Sequence, residues 1–430
     1  MVVTTPTTTP FERLLTRVQG ILNARDIGDD PNQIRSVIEE QVERWQRSAI
    51  QGADGATAFT NPDEVVERIL RLIEGVGTEI EALVADPDVE EIYGTNGDLS
   101  YRTTSGYTKA VPTPVSPTAM LHTVQRLVAS ASEQLDASHP RADGLRVTLP
   151  GGRLGRLSAS IPPRIDGTVS FVLRLPQKMH VTLDDLVAWG SLTAPAANFL
   201  KLLMRIPRPK ILVSGSPGAG KTAMVDALLR SVTARQRTIV LEEQRELTAP
   251  LLSGEYWATS KVEDLAVLIR SARVASPQVI VLGELKGVEA WDLLMAGNLG
   301  TGVIAAVHAD STAKAFDALA DAASPAVPAM STTTIREKFS RTFDVVIYCG
   351  MDPVDEDRTV RHITEIAVVP PQMSDGAVAV TPIFSRTAVG EPMELTSTEV
   401  GAHLAFHIER VLRRYPGISL TNVLHGEASL

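Results

Sequence analysis

Apolar residues in the first part of the chain recur every three or four positions, which is the spacing of one face of a helix. This pattern predicts amphipathic helices over 11–24, 31–50 and 61–85. The second of these helices carries an apolar stripe of Ile34, Val37, Ile38, Val42 and Trp45. We expect the stripes to be packing faces rather than ligand sites. Residues 11–85 are therefore expected to form a helical N-terminal segment, after a disordered tail rich in Thr and Pro over 1–10.

Shorter apolar runs separated by turn residues follow over 86–175, and they predict an α+β domain. The pair Asn96-Gly97 has the composition of a hairpin turn. A helical pattern occupies 118–131, and strands are expected at 145–149, 157–161 and 169–173. Residues 176–192 are expected to be a linker.

Apolar runs alternate with helical patterns over 193–430, which is the order that a parallel α/β sheet requires. After a helix at 193–206, strands are expected at 211–214, 238–241, 279–282, 302–307, 345–349 and 362–369. Helices are expected between them, at 221–233, 262–275, 287–297, 313–323 and 335–341. The fold class is therefore α/β for this part of the chain, behind the α+β domain.

A glycine-rich stretch joins the first of these strands to the first helix. It reads Gly215, Ser216, Pro217, Gly218, Ala219, Gly220, Lys221 and Thr222, followed by Ala223. This is the pattern G-x-x-x-x-G-K-T of a phosphate-binding loop, whose backbone N–H groups and helix N-terminus hold a phosphate. We expect residues 215–223 to bind a nucleotide, with Lys221 reaching the β- and γ-phosphates and the Thr222 hydroxyl ligating Mg²⁺. The alternative is a glycine-rich turn without a ligand.

Three later strands end in residues that suit phosphate chemistry. Glu284 follows the strand at 279–282 and could orient Mg²⁺ or polarise the attacking water; the alternative is a surface charge. Glu242 and Glu243 follow the strand at 238–241 and could hold that water in line; alternatively they cap a helix or are solvated. His308 ends the strand at 302–307 and could sense the phosphate; the alternative is a structural histidine.

The composition limits size, partners and location. A chain of 430 residues and 46.2 kDa predicts two or three domains. A net charge of −10 without a basic stripe argues against binding of nucleic acid. The single cysteine, Cys349, excludes a disulfide framework within the chain and a multi-cysteine zinc site. Because no apolar run approaches the ~18 residues of a membrane span and no signal pattern opens the chain, a cytoplasmic protein is expected.

Taken in order, these motifs resemble the secretion ATPase superfamily of type II and type IV secretion systems, and most closely the Tad/Flp-type pilus assembly ATPases. That family's pattern continues from the phosphate-binding loop to I-E-D-x-x-E-L, V-G-E-x-R-G and a histidine box ending T-x-H-A. This chain has L-E-E-Q-R-E-L at 241–247, L-G-E-L-K-G at 282–287 and A-V-H-A at 306–309. D-P-D-V-E-E-I at 86–92 is similar to an N-terminal motif of the family, and the resemblance spans about residues 60–370.

The resemblance implies a RecA-like P-loop NTPase domain and a Mg²⁺-dependent ATP hydrolase that works as a homo-hexameric ring. It implies that the motor powers a Tad/Flp-like pilus or a related secretion machine by acting on an integral inner-membrane platform protein. The protein would be cytoplasmic and attached peripherally to the inner membrane through partners. Arg156 and Arg174 become candidates to contact the phosphates of ATP, with surface salt bridges as the alternative.

Within the superfamily, the single cysteine argues against the ATPases that carry a four-cysteine zinc module. The long helical lead favours the Tad type over the shorter ATPases of conjugation machines.

The chain departs from the family pattern at several charged positions. Lys286 replaces the arginine of V-G-E-x-R-G, and Glu243 replaces the aspartate of the acidic box. Gly300 replaces the first histidine of the histidine box, and Val274 and Ser276 occupy the positions of two arginines before the strand at 279–282. Slow or partner-dependent turnover is therefore expected. Two alternatives stay open: a nucleotide-binding regulator that hydrolyses slowly or not at all, and a nucleic-acid-translocating ATPase, against which the net charge weighs.

Overall fold

The computed structural model of the protein describes residues 9–25, 31–52, 57–73, 78–112, 114–149, 152–175, 180–232, 236–260, 262–370, 373–374 and 376–429. The chain divides into two compact units, Met1–Gln177 and Lys178–Leu430. Of the expected tail over 1–10, residues 1–8 lie outside the described residues. No helix among the described residues combines the length and the apolar character needed to cross a membrane.

Helices open the first unit. They are α1 (Pro10–Arg25), α2 (Pro31–Ile50), α3 (Pro62–Ile73) and α4 (Thr78–Ala85). The helix predicted over 61–85 corresponds to both α3 and α4, and residues 74–77 between them are outside the described residues. All residues of the apolar stripe predicted on α2 are buried. Ile34, Ile38, Val42 and Trp45 of this stripe pack with Leu14, Val18 and Ile69 in one apolar core. The stripe on α2 is therefore a packing face, as expected.

An antiparallel sheet completes the first unit. Its strands are β1 (Val89–Thr95), β2 (Asp98–Thr103), β3 (Thr108–Ala110), β4 (Arg141–Thr148), β5 (Leu154–Ser160) and β6 (Ser170–Arg174), in the order β3-β2-β1-β6-β5-β4. Thr95 pairs with Asp98, so Asn96-Gly97 forms the predicted two-residue hairpin turn. Helix α5 (Pro117–Ser130) contributes Met120 and Val124 to the core under one face of the sheet.

The second unit is built around a nine-stranded sheet. In chain order its strands are β7 (Lys210–Gly215), β8 (Thr238–Glu242), β9 (Gly254–Ala258), β10 (Val279–Leu285), β11 (Gly302–Val307), β12 (Val345–Pro353), β13 (Thr359–Val368), β16 (Thr381–Ser385) and β17 (Glu394–Leu395). Their order in the sheet is β17-β16-β13-β12-β7-β11-β10-β8-β9. A separate small hairpin pairs β14 (Met373–Ser374) with β15 (Ala377–Val378).

The helices of the second unit are α6 (Leu183–Ala188), α7 (Ala194–Met204), α8 (Lys221–Arg230), α9 (Leu265–Val274), α10 (Glu289–Asn298), α11 (Lys314–Ala323), α12 (Thr332–Ser340), α13 (Ala402–Leu412) and α14 (Leu420–Leu424). Apolar cores lie against both faces of the sheet, which explains why its central strands are apolar without alternation. Helix α6 falls within the stretch 176–192 that the sequence suggested as a linker. A capping box at Thr182 and Asp185 starts this helix.

The sheet is mixed rather than parallel. Strands β12, β7, β11, β10, β8 and β9 run parallel, but β13 and β16 run antiparallel to their neighbours. The prediction of a parallel sheet was therefore wrong for the strand expected at 362–369, which pairs with β12 as a hairpin. Hydrophobic periodicity carries no information on strand direction, so the pattern could not reveal this.

Candidate functional site

The strand–loop–helix junction from β7 to α8 brings the glycine-rich stretch to the carboxyl edge of the sheet. A Cβ at Gly215 would lie 2.4 Å from the backbone oxygen of Cys349 on β12, so only glycine fits there. Gly218 and Gly220 have φ angles of 78° and 92°, which favour glycine. Residues 221–223 form the first turn of α8, and N–H groups in a first turn have no acceptor within the helix. The junction therefore fits an anionic phosphate group.

Lys221 lies across this loop with its side chain largely buried. Its Nζ donates to the carbonyl oxygens of Gly215 at 2.9 Å and Ser216 at 3.0 Å. It also lies 2.9 Å from Nδ1 of His308, which follows β11. An ammonium group has only donors, so Nδ1 accepts this bond when Lys221 is charged, and the ring proton of neutral His308 is then on Nε2. The loop lysine and the strand-end histidine are thus in direct contact.

Glu284 continues this chain of contacts from β10. Its Oε1 pairs with Nε2 of His308, and its Oε2 lies 2.8 Å from Nζ of Lys286. Lys286 also donates to Oε2 of Glu243 at 2.9 Å. Burial acts to raise the pKa of Glu284, but the hydrogen bond and the charge of Lys286 outweigh it and hold that pKa below its ordinary value. Burial likewise acts to lower the pKa of Lys286, yet Glu284 and Glu243 hold it above its ordinary value. This arrangement keeps Glu284 ionised.

Glu242 ends β8 with a buried side chain. Its Oε1 accepts hydrogen bonds from the backbone N–H groups of Glu246 and Leu247, both at 3.0 Å. Its Oε2 is buried without a hydrogen-bond partner among the described residues. Burial raises the pKa of Glu242 to about 7, although the two backbone hydrogen bonds oppose this. A carboxyl group with such a pKa can accept or release a proton near neutral pH.

Gly283 allows Glu242 to approach the neighbouring strand. A Cβ at position 283 would lie 3.2 Å from Cγ of Glu242, closer than most side-chain contacts. Because Leu241 of β8 pairs with Leu282 of β10, Glu242 reaches the edge of the sheet beside Gly283 and Glu284. Of the strand-end candidates, Glu243, Glu284 and His308 join Lys221 in one chain of contacts, and Glu242 lies on the strand beside them.

Arg156 and Arg174 lie opposite each other on β5 and β6 of the first unit. Directly opposed residues of antiparallel strands share a face of the sheet. The same row continues to Arg146 on β4 and, in the other direction, to Glu91 on β1. It is the face opposite the apolar core, because Leu157 and Leu173 beside these arginines are buried.

We call the residues Arg146, Arg156 and Arg174 the arginine row. Arg146 is not recognisable as a member of this row from the sequence, because strand pairing is not readable from one sequence.

Lys286 and Arg361 are the other residues near the site whose contacts the sequence did not reveal. Two of the departures from the family pattern, Lys286 in place of arginine and Glu243 in place of aspartate, contact each other as an ion pair. The shorter basic side chain is thus matched by a longer acidic one. Arg361 on β13 donates from Nε to the carbonyl oxygen of Gly218 at 2.7 Å. No motif marks this arginine, and it lies 143 positions from the glycine that it contacts.

A divalent cation would find oxygen donors at Thr222 and Glu284, the donor type that Mg²⁺ prefers. No group of three or more His, Cys, Asp or Glu side chains among the described residues is arranged to hold a metal ion. Mg²⁺ in phosphate sites is held by one or two protein oxygens together with water and phosphate, so the residues present fit it.

Comparisons with known proteins identify a family for this chain. The model of a family described as Type II/IV secretion system protein matches residues 67–347. A Mycobacterium tuberculosis protein whose name places it in conjugal transfer is 29% identical over 278 residues, which are 62% of this chain and 76% of that protein. The type IV secretion system protein VirB11 of Brucella suis is 30% identical over 208 residues, which are 41% of this chain and 57% of VirB11.

Among solved structures, the ATPase DotB of Legionella pneumophila superposes with a TM-score of 0.51 at 16% identity, covering 83% of this chain and 90% of DotB. DotB of Yersinia pseudotuberculosis gives a TM-score of 0.50 at 16% identity, covering 69% of this chain and 78% of that one. These similarities show the fold, an α/β RecA-like P-loop domain preceded by an α+β domain. Since the family model covers more than half of the 430 residues, this chain belongs to the type II/IV secretion system protein family.

Proposed function

We propose that this protein is a Mg²⁺-dependent ATPase motor that powers assembly of a Tad/Flp-like pilus or a related secretion machine. The observation that carries the proposal is the continuous contact from Lys221 through His308 to Glu284. It joins the cation of the phosphate-binding loop, which follows β7, to the acid near the end of β10, with β11 lying between these two strands in the sheet. This contact favours a nucleotide site over the alternative of a glycine-rich turn without a ligand.

ATP is the substrate in this proposal. Residues 215–223 bind its phosphates through backbone N–H groups, and Lys221 neutralises charge on the β- and γ-phosphates. Ionised Glu284 orients the water that attacks the γ-phosphorus, and the proton that this water loses ends on the released phosphate. The bond from the phosphorus to the oxygen of ADP breaks, and ADP and phosphate leave. Glu242 is a second group able to hold a proton near neutral pH. Thr222 and Glu284 would hold Mg²⁺, which would neutralise charge on the phosphate oxygens.

The assembly proposed for this motor is a homo-hexamer, in which Arg156 and Arg174 contact the phosphates of ATP. The side-by-side placement of both residues in the arginine row supports this, because a row of like charges attracts an anion. The family, whose named members include components of secretion systems, supports an integral inner-membrane platform protein as partner. The proposed location is the cytoplasm, with peripheral attachment to the inner membrane through that partner.

One observation favours a second candidate, a regulator that binds ATP and hydrolyses it slowly. Lys286 occupies Oε2 of Glu284 and so competes with water and Mg²⁺ for that carboxylate. Steady-state phosphate release by the purified chain separates the two functions. Sustained release that is lost in Lys221→Ala supports the motor. ATP binding with no release beyond one turnover supports the regulator, and no binding of ATP overturns both.

A further inference from the structure

Arg361 contacts the apex of the phosphate-binding loop from a distant strand. Its Nε donates to the carbonyl oxygen of Gly218 at 2.7 Å, and its Cδ lies 3.8 Å from the position of a Cβ at Gly220. The side chain therefore runs along the outside of the loop. Because the donor belongs to a charged guanidinium group, this bond is of the stronger kind.

The hydrogen bond from Arg361 is made to the peptide group between Gly218 and Ala219, whose orientation affects the shape of the loop. Ser216, Pro217, Gly218 and Ala219 form a tight turn, in which Gly218 has a φ of 78° and the Ala219 N–H donates to the Ser216 oxygen at 3.2 Å. The C=O of Gly218 and the N–H of Ala219 belong to one planar trans peptide and point in opposite directions. Arg361 holds the oxygen side of this peptide while the turn holds the nitrogen side.

Arg361 is itself fixed to the sheet. Its backbone pairs with Met351 on β12, and its carbonyl oxygen accepts a hydrogen bond from the Ser191 hydroxyl at 3.3 Å. Ile363, two residues further along β13, donates its N–H to the Ser191 oxygen at 3.1 Å. A side chain can preorganise a loop only when its own backbone is held, and here both the strand and the segment before α7 hold it.

We propose that Arg361 is a positioning residue that preorganises the phosphate-binding loop for nucleotide. The inference rests on the proposed function. It identifies a residue outside the glycine-rich motif, Arg361, on which the affinity of the protein for ATP depends. A loop that binds phosphate through backbone N–H groups binds tightly only when its peptide planes are already oriented, since the cost of ordering them otherwise reduces the affinity. Arg361 supplies this order through Gly218 without needing to touch the nucleotide.

The test measures dissociation constants for ADP and ATP by calorimetry on the full chain. Arg361→Gln is expected to raise both constants by the same factor of about ten, equivalent to about 1.4 kcal/mol. Arg361→Lys, which can still donate to the Gly218 oxygen, is expected to stay within about threefold of the wild type. In turnover, Arg361→Gln should raise KM with little change in kcat, as for an interaction that acts equally on bound substrate and transition state.

Arg208→Gln is the matched control. Arg208 also donates to a glycine carbonyl, that of Gly300 at 3.0 Å, but it precedes β7 at the opposite edge of the sheet. This variant is expected to lower the melting temperature at most, with both dissociation constants unchanged.

Several results would overturn the inference. Wild-type affinity in Arg361→Gln would do so while leaving the proposed function intact, as would an increase confined to ATP, which indicates a direct contact with the γ-phosphate. If Arg361→Gln does not fold, the same measurements are made on Arg361→Met, which keeps the aliphatic stem of the side chain. If neither variant folds, Arg361 has a role in the fold and not in ordering the loop. No ATP binding by the wild-type chain removes the proposed function and this inference together.

Discussion

Two carboxyl groups at the ends of neighbouring strands have pKa values displaced in opposite directions. Burial raises the pKa of Glu242 to about 7, whereas Lys286 holds the pKa of Glu284 below its ordinary value. Pairs of acids whose environments separate their pKa values can take different roles in proton transfer. Glu284 is thereby suited to act as an ionised group towards water or Mg²⁺, and Glu242 to exchange a proton.

Glu284→Gln is expected to retain ATP binding and to lower turnover by about a hundredfold or more, because it keeps the shape of the side chain and removes the charge. Glu255→Gln on β9 is the matched control, since Glu255 is an acid of the same sheet that pairs with Arg237 away from the site. Phosphate release and ATP binding are measured for both variants. Turnover at the wild-type rate in Glu284→Gln would remove Glu284 from the reaction and leave Glu242 as the candidate.

The raised pKa of Glu242 predicts that the stability of the protein depends on pH. Its pKa is about 7 in the folded protein against an ordinary value of 4.5, so the folded state binds more protons between these pH values. Its contribution to the free energy of unfolding therefore falls as the pH rises from 4.5 to 7, by up to about 3 kcal/mol. Glu242→Gln removes this loss, so its stability relative to the wild type should increase over that range in urea titrations. A difference that is constant from pH 5 to pH 8 would contradict the shift.

Residue types at strand ends were readable from the sequence, but their partners were not. The positions of Lys221, Glu284 and His308 follow from a motif and from apolar runs that end in polar residues. The bridge from Lys286 to Glu243 and Glu284 depends on the order of strands in the sheet, which one sequence does not contain. Arg361 lies on an antiparallel strand, so its approach to the loop depends on a direction that periodicity cannot show.

At the scale of elements, the sequence predicted the parallel strands better than the edges of the sheet. The strand predicted at 302–307 has the bounds of β11, because a fully apolar run marks a strand buried on both faces. Strands β9, β16 and β17 were missed. They are short or half exposed, and β9 contains Glu255 and a glycine, so neither an apolar run nor a clean alternation marks them.

The junction of β7 with β12 predicts that Gly215 is sensitive to substitution. Gly215→Ala would place a Cβ 2.4 Å from the Cys349 oxygen, and the expected loss is about 3 kcal/mol of unfolding free energy. Gly417→Ala is the control: its φ of 85° is also unfavourable, but nothing lies within 4 Å of the new Cβ, so about 1 kcal/mol is expected. Thermal and urea unfolding measure both, and equal losses would show that the close approach to Cys349 is unimportant.

Two residues of the arginine row, Arg156 and Arg174, are predicted to affect the rate of ATP hydrolysis more than the binding of ATP. Arg156→Ala and Arg174→Ala are each expected to lower kcat by about a hundredfold while ATP affinity changes little, because a contact made late in the reaction stabilises the transition state. Arg44→Ala, on an exposed face of α2 in the same unit, should leave both unchanged. Losses of affinity equal to the losses of kcat would indicate ground-state binding by these arginines instead.

At the scale of the whole molecule, the proposed motor requires assembly. We expect a ring of six chains whose formation is promoted by a non-hydrolysable ATP analogue, because ATP would lie where residues of neighbouring chains meet. Light scattering at high protein concentration, with and without the analogue, measures this. A monomer that shows full turnover under those conditions would remove the ring from the proposal and leave the ATPase.

The packing of Cys349 against Gly215 also has a practical consequence. Cys349 is the only thiol in the sequence, it is fully buried, and burial raises its pKa to about 12. Since the thiolate is the reactive form, the native protein should not react with maleimides or Ellman's reagent until it unfolds. A cysteine introduced on the surface would therefore take up a fluorophore or spin label at a single site without removal of the native thiol. A pair of such introduced cysteines would allow a distance within the chain to be followed through a nucleotide cycle.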